Sequence, residues 1–549
     1  MLRVFALIAA LLVGALLGSI PLMDADEGRN GEVAREMAAT NDYVMPRLDG
    51  LPYLDKPVLY FAAAAAAMEV LGPTELAARL PAYLFTLATA AVVAFFARRT
   101  KPGSEWVAAI VFLSIPLTIA FARTVIFDSA LMFFATTALV ALYFAVETRN
   151  KRWTLLAWAS MGFAILTKGP VIFVLVLFVA IPYAIKRKAF GALWSIAGLV
   201  AFALIVAPWV YGVTQVVPEF LHYVLVTETA SRMATDELQR TGPPWYFVPY
   251  LIGGALPWSI VLLFSWRAVK RREPETLFLL LWLVIPFLFF SISQSKRPQY
   301  IVPLMPPLAL LVARIWDEAR TRGAAITFAV MGAVLLAAPL FLHRVRMETQ
   351  VAAVADESAL LLGGVFVAAA VAALLVRRPE LRLAALALPM LLLPLTATPL
   401  LRGITQRRST HALVQQIRPH LTPSTQIVGV ETFTGSLAFY LQRPIVVATK
   451  DASEMTSNYL LRRYEKYTTD PSSPLKPMPW LEANLRECCR PRIYLVRKKD
   501  PEHVARFDAM RVPRIGEGTH HIAYGPYVGG RAQGTGHRAQ GADPRVPPE

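Results

Sequence analysis

Carboxylates and cations crowd into one short stretch of this chain, Asp24-Ala25-Asp26-Glu27-Gly28-Arg29-Asn30, and the crowding continues through Glu32, Arg35 and Glu36 to Tyr53, Asp55 and Lys56. A positioned carboxylate can take a proton from an attacking hydroxyl, and an ammonium or guanidinium can stabilise a departing phosphate. Further along stand Arg123 with Asp128, then Lys168, then Ser295-Lys296-Arg297-Pro298-Gln299-Tyr300. Two cations and two hydroxyls in that last run suit a phosphate or pyrophosphate. Asp26, Asp55 and Asp128, drawn from two loops, form an expensive cluster unless they meet cations, a metal or protons to transfer. Lys56 and Lys168 are the candidate cations. Glu228 and Arg232, with Pro243, Pro244, Trp245 and Tyr246, could form a lid.

Each of these residues also has a plainer role. Asp24 and Glu27 have capping-box spacing, which predicts Asp24 as the cap of a short helix lying on the membrane surface. Asp26 in the first turn would favour the helix dipole without doing chemistry. Asp128 could be the solvated end of a span, and Lys296 and Tyr300 could be interfacial anchors, as could the aromatics beside the lid. Asp26 stands out because of its company.

The elements that must hold these residues are apolar. The 549 residues are 56% hydrophobic and only 17% charged, and the apolar residues come in long blocks. That excludes one large soluble core and predicts a mainly α, polytopic membrane protein. The run Val4 to Leu22 can cross a bilayer and leads straight into Asp24. Further spans are predicted near 78–97, 104–121, 129–146, 153–167, 169–185, 191–213, 246–266, 276–292, 299–313, 324–342, 358–376 and 382–401. With the first they make about thirteen transmembrane helices. Thr167-Lys168-Gly169-Pro170 is read as a tight turn between two of them, since Gly-Pro ends helices.

Charge orients the spans. The net charge of +17 collects in alternate loops: Arg98, Arg99 and Lys101; Arg149, Lys151 and Arg152; Lys186, Arg187 and Lys188; Arg267 to Arg272; Arg314, Arg320 and Arg322; Arg377, Arg378 and Arg382. Basic loops stay cytoplasmic, so the N-terminus is inside and an odd number of spans leaves the C-terminal region outside. Lys168, Lys296 and Arg297 break that trend, and binding an anionic group is the leading reason for it. No basic region is interleaved with aromatics outside the spans, which argues against a nucleic-acid partner. A transporter or lipid-linked sugar flippase would place charge near the bilayer midplane and often shows inverted repeats. Here the charges gather at one face and no repeat is visible. A non-catalytic scaffold would leave that cluster unexplained.

Residues 1–403 thus read as a membrane domain with outer loops 23–77 and 214–245. Residues 404–528 read as a small soluble α/β domain, with strands at Thr425–Val430, Pro444–Val447 and Arg492–Val496 and a helix at Gly435–Leu441. Residues 529–549 carry almost no apolar side chains, and disorder is expected. The adjacent Cys488 and Cys489 are read as incidental, neither a disulfide framework nor a metal site.

At these residues the chain resembles a known family. Asp26-Glu27-Gly28-Arg29 followed by Ala34-Arg35-Glu36-Met37 looks like the Asp-Glu-x-Arg signature of GT-C fold membrane glycosyltransferases. Lys56-Pro57 matches their Lys-Pro motif, and Asp128, Thr167-Lys168-Gly169-Pro170 and Ser295-Lys296-x-Pro298-x-Tyr300 recur in the expected order. The resemblance covers roughly residues 1–315 by motif, and is nearest to the aminoarabinose transferases of lipid A and the related protein O-mannosyltransferases. Asn30 and Arg297 depart from that pattern, where the family often has Tyr and Leu. The resemblance implies transfer of a sugar from a polyprenyl phosphate to lipid A, another glycolipid or a protein, at the periplasmic face of a bacterial inner membrane. It implies Asp26 as the residue activating the acceptor and Asp128 as the second active-site carboxylate. Arg29, Lys56, Lys168, Lys296, Arg297 and Tyr300 would hold the donor phosphate, with Tyr53, Asp55, Glu228 and Arg232 toward the acceptor or lid. It names no certain cofactor and leaves a divalent metal open.

The charge pattern generates a test. Cysteines introduced beside Asp26, Asp128, Lys168 and Lys296 are expected to react with an impermeant thiol reagent from the periplasmic side of intact cells. Reaction of any of them only after the inner membrane is opened would overturn this orientation.

Overall fold

The computed structural model describes residues 1–224, 242–342, 349–486 and 490–528. A bundle of apolar helices carries the outer loops, and a six-stranded sheet domain sits on them. Cys488, Cys489, Glu228, Arg232 and residues 529–549 lie outside the described residues.

Every predicted span is helical in whole or in part. Eight continuous helices are long and apolar enough to cross a bilayer, and two bent pairs raise the number to 10 among the described residues. The bent pairs are α5 (Glu105–Leu113) with α6 (Pro116–Ala122), and Phe247–Gly254 with Trp258–Phe264, broken by 69° and 99°. Both breaks fall at a proline, Pro116 and Pro257, which lacks the donor that would continue the ladder. Trp258 Nε1 donates to Ser114 Oγ at 3.0 Å, so the breaks lean on each other. The other three predicted spans are α1 (Leu2–Gly14), α8 (Lys151–Lys168) and α9 (Val171–Lys186), which are shorter or have charged ends. Gly169, at φ +82°, makes the predicted turn between α8 and α9.

The first span departs from expectation. The apolar run Val4 to Leu22 stops being helical at Gly14, and residues 15–23 are irregular. Exposed backbone groups cannot stay unpaired beside lipid, and arginines meet them. Arg123 donates to the carbonyls of Val13, Ala15 and Leu16. Arg79, within α4 (Glu75–Thr100), donates to those of Leu17, Ile20 and Pro21. Arg402 reaches Ser19, and the Tyr440 hydroxyl accepts from the Leu22 N–H.

That irregular strip delivers the chain into α2 (Asp26–Thr40). The helix does not lie open on the membrane surface as predicted. Gly28, Asn30, Gly31, Glu32, Val33, Ala34 and Met37 are buried, and it is sandwiched between α3 (Leu59–Leu71) and the sheet domain. Its ordinary-looking glycines explain the fit. A Cβ on Gly28 would run into the backbone of Ser436, and one on Gly435 into the backbone of Gly28 and Arg29.

The sheet domain confirms the three predicted strands as β3 (Gln426–Val430), β4 (Ile445–Thr449) and β6 (Arg492–Arg497), with the helix Gly435–Leu441 between the first two. Sequence reading missed β5 (Leu475–Pro477), β7 (Arg514–Glu517) and β8 (His521–Tyr527), and the short hairpin β1 (Arg47–Leu48) with β2 (Leu51–Pro52) in the outer loop. The order is β5-β4-β3-β6-β8-β7, parallel from β5 to β6 and antiparallel at β8 and β7. Strand alternation gives it two faces. Val428, Val430, Tyr494 and Val496 pack with Leu481, Leu485 and Phe507. Ile427, Ile445, Val447 and Leu495 join the core that also holds Val33, Met37, Tyr53 and Phe61 of the outer loop.

Arg79 is the residue on which the entry into α2 hangs. Arg79→Met removes the cation paired with Glu27 and the donor to three carbonyls, and breaking a buried pair from one side costs about 3–5 kcal/mol. A strongly lowered melting temperature in detergent is expected, and a variant as stable as the wild type would remove Arg79 from this role.

Candidate active site

The N-terminus of α2 is fixed by an ion pair out of reach of water. Glu27 and Arg79 meet at 2.9 Å with side chains 3% and 4% exposed. Glu27 also accepts the N–H of Met23 at 3.2 Å and that of Val125 at 3.1 Å. Asn30 Nδ2 donates to the Val125 carbonyl at 2.9 Å. Both backbone groups of Val125 are therefore held by α2, just ahead of α7 (Asp128–Thr148). Asp26 and Asp128 are the first residues of α2 and α7, so this joint ties together the helix ends that carry them.

Asp26 lies on the open side. Its side chain is 41% exposed and pairs with Arg29 at 2.6 Å and Arg297 at 3.3 Å. The Arg29 guanidinium rests on the Tyr53 ring, 5.7 Å from its centroid, and Tyr53 itself is buried. Asp128 is the opposite case, 2% exposed and paired with Lys168 at 2.5 Å. The Lys168 ammonium stands 5.2 Å over the Tyr300 ring. Arg297 is the N-cap residue of the 3-10 helix Pro298–Leu304, and Tyr300 lies within it. This segment joins the two charge clusters: Asp26 with Arg29, Tyr53 and Arg297, and Asp128 with Lys168 and Tyr300. A carboxylate open to solvent beside several cations at one end of a helical bundle can receive an acceptor and hold a departing anion.

Other predicted residues are placed differently. Lys296 is buried and turns its ammonium back to the Ser293 carbonyl, while its neighbour Arg297 reaches the centre. Lys56 donates to the Asp55 carbonyl at 2.6 Å. The Asp55 carboxylate accepts the Tyr223 hydroxyl at 2.9 Å and the N–H groups of Asn458 and Tyr459 at 2.9 and 3.2 Å, so it caps a helix of the sheet domain. Asp24 is not the cap of α2. That position is Ala25, without a side-chain bond, and the Asp24 carboxylate turns away to the N–H and hydroxyl of Ser436. A long-range partner outcompeted the local one. Arg123 serves backbone carbonyls, as described above.

Several residues of the site's frame were not singled out from sequence. Arg79 had a usable signal: an ionisable residue inside a predicted span is a functional candidate by default. Ser436, Thr456 and Asp49 had none. Asp49 accepts the Ile445 N–H at 2.9 Å and faces Glu36 and the Arg35–Glu32 pair, and burial pushes its carboxyl well up. Among the described residues one close triad of ligand-type side chains occurs, Glu431, Asp500 and His503. It belongs to the sheet domain, and Lys450 already pairs with Glu431 at 2.5 Å.

The chain can now be set beside known proteins. A family model described as dolichyl-phosphate-mannose-protein mannosyltransferase matches residues 55–211. An undecaprenyl phosphate-α-4-amino-4-deoxy-L-arabinose arabinosyl transferase of Proteus mirabilis is 30% identical over 310 residues, 54% of this chain and 56% of that protein. One from Serratia proteamaculans is 32% identical over 311 residues, again 54% and 56%. The chain spans about half the length of these curated relatives. The crystal structure of ArnT from Cupriavidus metallidurans bound to undecaprenyl phosphate matches with a TM-score of 0.84 at 26% identity, over 96% of this chain and 98% of that one. Its apo form gives 0.82 over the same shares. The chain has the GT-C fold of these transferases, including the sheet domain.

Asp24 makes the docking of the sheet domain depend on pH. Burial raises its carboxyl from 3.8 to about 6, against the two Ser436 bonds and Arg29, with Glu27 adding to the rise. The fold therefore favours the protonated form. Its stabilisation is complete below 3.8 and is lost as pH climbs through about 6, a term of about 3 kcal/mol. The melting temperature is expected to be higher at pH 5 than at pH 7. Asp24→Asn, which mimics the protonated acid, should flatten that slope, and an unchanged slope would remove Asp24 from this role.

Proposed function

We propose that this chain is a glycosyltransferase of the lipid A aminoarabinose transferase kind, moving a sugar from a polyprenyl-phosphate donor to a lipid acceptor at the periplasmic face of the inner membrane. One observation carries the reading. Asp26, whose side chain is open to solvent, stands between two guanidiniums, on a chain whose fold matches a transferase bound to undecaprenyl phosphate along nearly its whole length. The named substrate of the relatives, undecaprenyl phosphate-α-4-amino-4-deoxy-L-arabinose, is the first donor to test.

In this reading an acceptor oxygen attacks the anomeric carbon, and the bond from that carbon to the phosphate oxygen breaks. The acceptor proton passes to Asp26, and the polyprenyl phosphate leaves as an anion. Arg29 and Arg297, which flank Asp26, meet the charge that develops on it. The Asp128–Lys168 pair, held under Tyr300, supplies a buried cation beside the same segment. Lys56, whose ammonium rests on the Asp55 carbonyl, exchanges that contact for the donor phosphate. The family model over residues 55–211 favours a second acceptor class, a protein hydroxyl, in a mannosyltransferase-like reaction.

Purified protein in detergent, given that donor with lipid A or with a Ser/Thr-rich peptide, separates the two. Transfer to lipid A is expected, and no transfer to either would overturn the reading. EDTA added to the same assay reports whether a divalent ion takes part. Asp26→Asn should insert normally and lose about a hundredfold to ten-thousandfold in turnover. Lys56→Ala should weaken donor binding as well as turnover. Near wild-type transfer by Asp26→Asn would misplace the centre.

A further inference from the structure

Arg29 touches the sheet domain as well as Asp26. Its Nη2 donates to Asp26 at 2.6 Å, while Nη1 donates to the Thr456 hydroxyl at 2.7 Å and to the Thr456 carbonyl at 3.2 Å. Nε is buried with no partner among the described residues, and the flat group lies on Tyr53. A guanidinium so placed has one face and one end fixed by protein, which sets the direction in which its other end points.

Thr456 is itself held tightly. It follows the turn Ser453–Met455 with φ at +51°, and the next residue, Ser457, caps the helix Asn458–Arg462. Asp55 holds the N–H groups of Asn458 and Tyr459 from the other side. The segment 456–459 is thus gripped at both ends by the outer loop, by Arg29 and by Asp55, next to Lys56.

We infer that Thr456 is a positioning residue of the sheet domain, which aims the Arg29 guanidinium at Asp26. The inference rests on the proposed function. Without the hydroxyl, Nη1 keeps only the longer carbonyl bond, and the guanidinium can rotate on Tyr53. A small misalignment of a charged group lowers turnover far more than it lowers binding.

The test uses the full chain with the donor and lipid A. Thr456→Val removes the hydroxyl and keeps the branched shape, and Thr456→Ser keeps the hydroxyl. Thr456→Val is expected to lower kcat about tenfold with the donor KM within about twofold, while Thr456→Ser stays near wild type. In an Arg29→Lys background, which lacks the fork, Thr456→Val should change kcat by less than about twofold, since the two residues act as one unit. Wild-type kcat in Thr456→Val, or equal losses in both backgrounds, would overturn the positioning role while leaving the transferase reading intact. A wild-type protein that transfers nothing would overturn both.

Discussion

The pair of Glu27 and Arg79 is the interaction from which the rest of the outer face is built. Taking both charges out of water is expensive, and the cost is offset only when every remaining donor and acceptor finds a partner. Here they do. Arg79 closes the carbonyls of the unwound strip after α1, and Glu27 closes the N–H groups of Met23 and Val125. Three separate pieces of chain, the end of the first helix, the start of α2 and the approach to α7, are tied at one point. Asp26 sits one residue from that tie and Asp128 three residues beyond Val125, so the spacing of the two carboxylates follows from a contact that touches neither.

The outer loop shows how one residue type is divided among jobs by environment. Asp24 is half-buried and Asp49 buried, and both spend oxygens on backbone N–H groups of the sheet domain. Glu27 is buried against an arginine, Asp128 against a lysine, and Asp55 caps a helix. Asp26 is flanked by cations and remains open to solvent. A buried carboxylate whose lone pairs are filled holds structure, and one that faces an opening can exchange its partners for substrate. Placing the structural carboxylate Glu27 next to the proposed base Asp26 holds that base in place.

The sheet domain is more than an appendage in this arrangement. Its inner face shares a core with α2 and α3, and Gly28 and Gly435 let two helices approach to backbone contact. Polar contacts from Ser436, Ile445, Thr456 and Asn458 all end on residues of the loop that carries Asp26 and Lys56. The membrane helices hold this loop from below and the sheet domain from above, so neither alone defines its geometry.

Much of this was legible in the order of residues. Long apolar blocks dictate helices in a membrane whatever their packing, and basic loops orient them, so the helical architecture and the charged face could be read directly. The period of β3, β4 and β6 and the helix at Gly435 were equally local. The Asp-Glu-x-Arg and Lys-Pro motifs marked the loop on which the charged groups converge, because those residue types stand close together in the chain. What only the tertiary structure decided is which member does what. Asp24 had the spacing of a cap and instead holds Ser436, 412 residues away. Lys296 and Arg297 are adjacent and read alike, yet one turns inward and the other reaches Asp26. Arg79 was not singled out from sequence, and its role follows from the unwound strip after α1, whose carbonyls it meets. Partnerships between residues hundreds of positions apart depend on how helices and sheet pack, and no spacing rule along the chain encodes them.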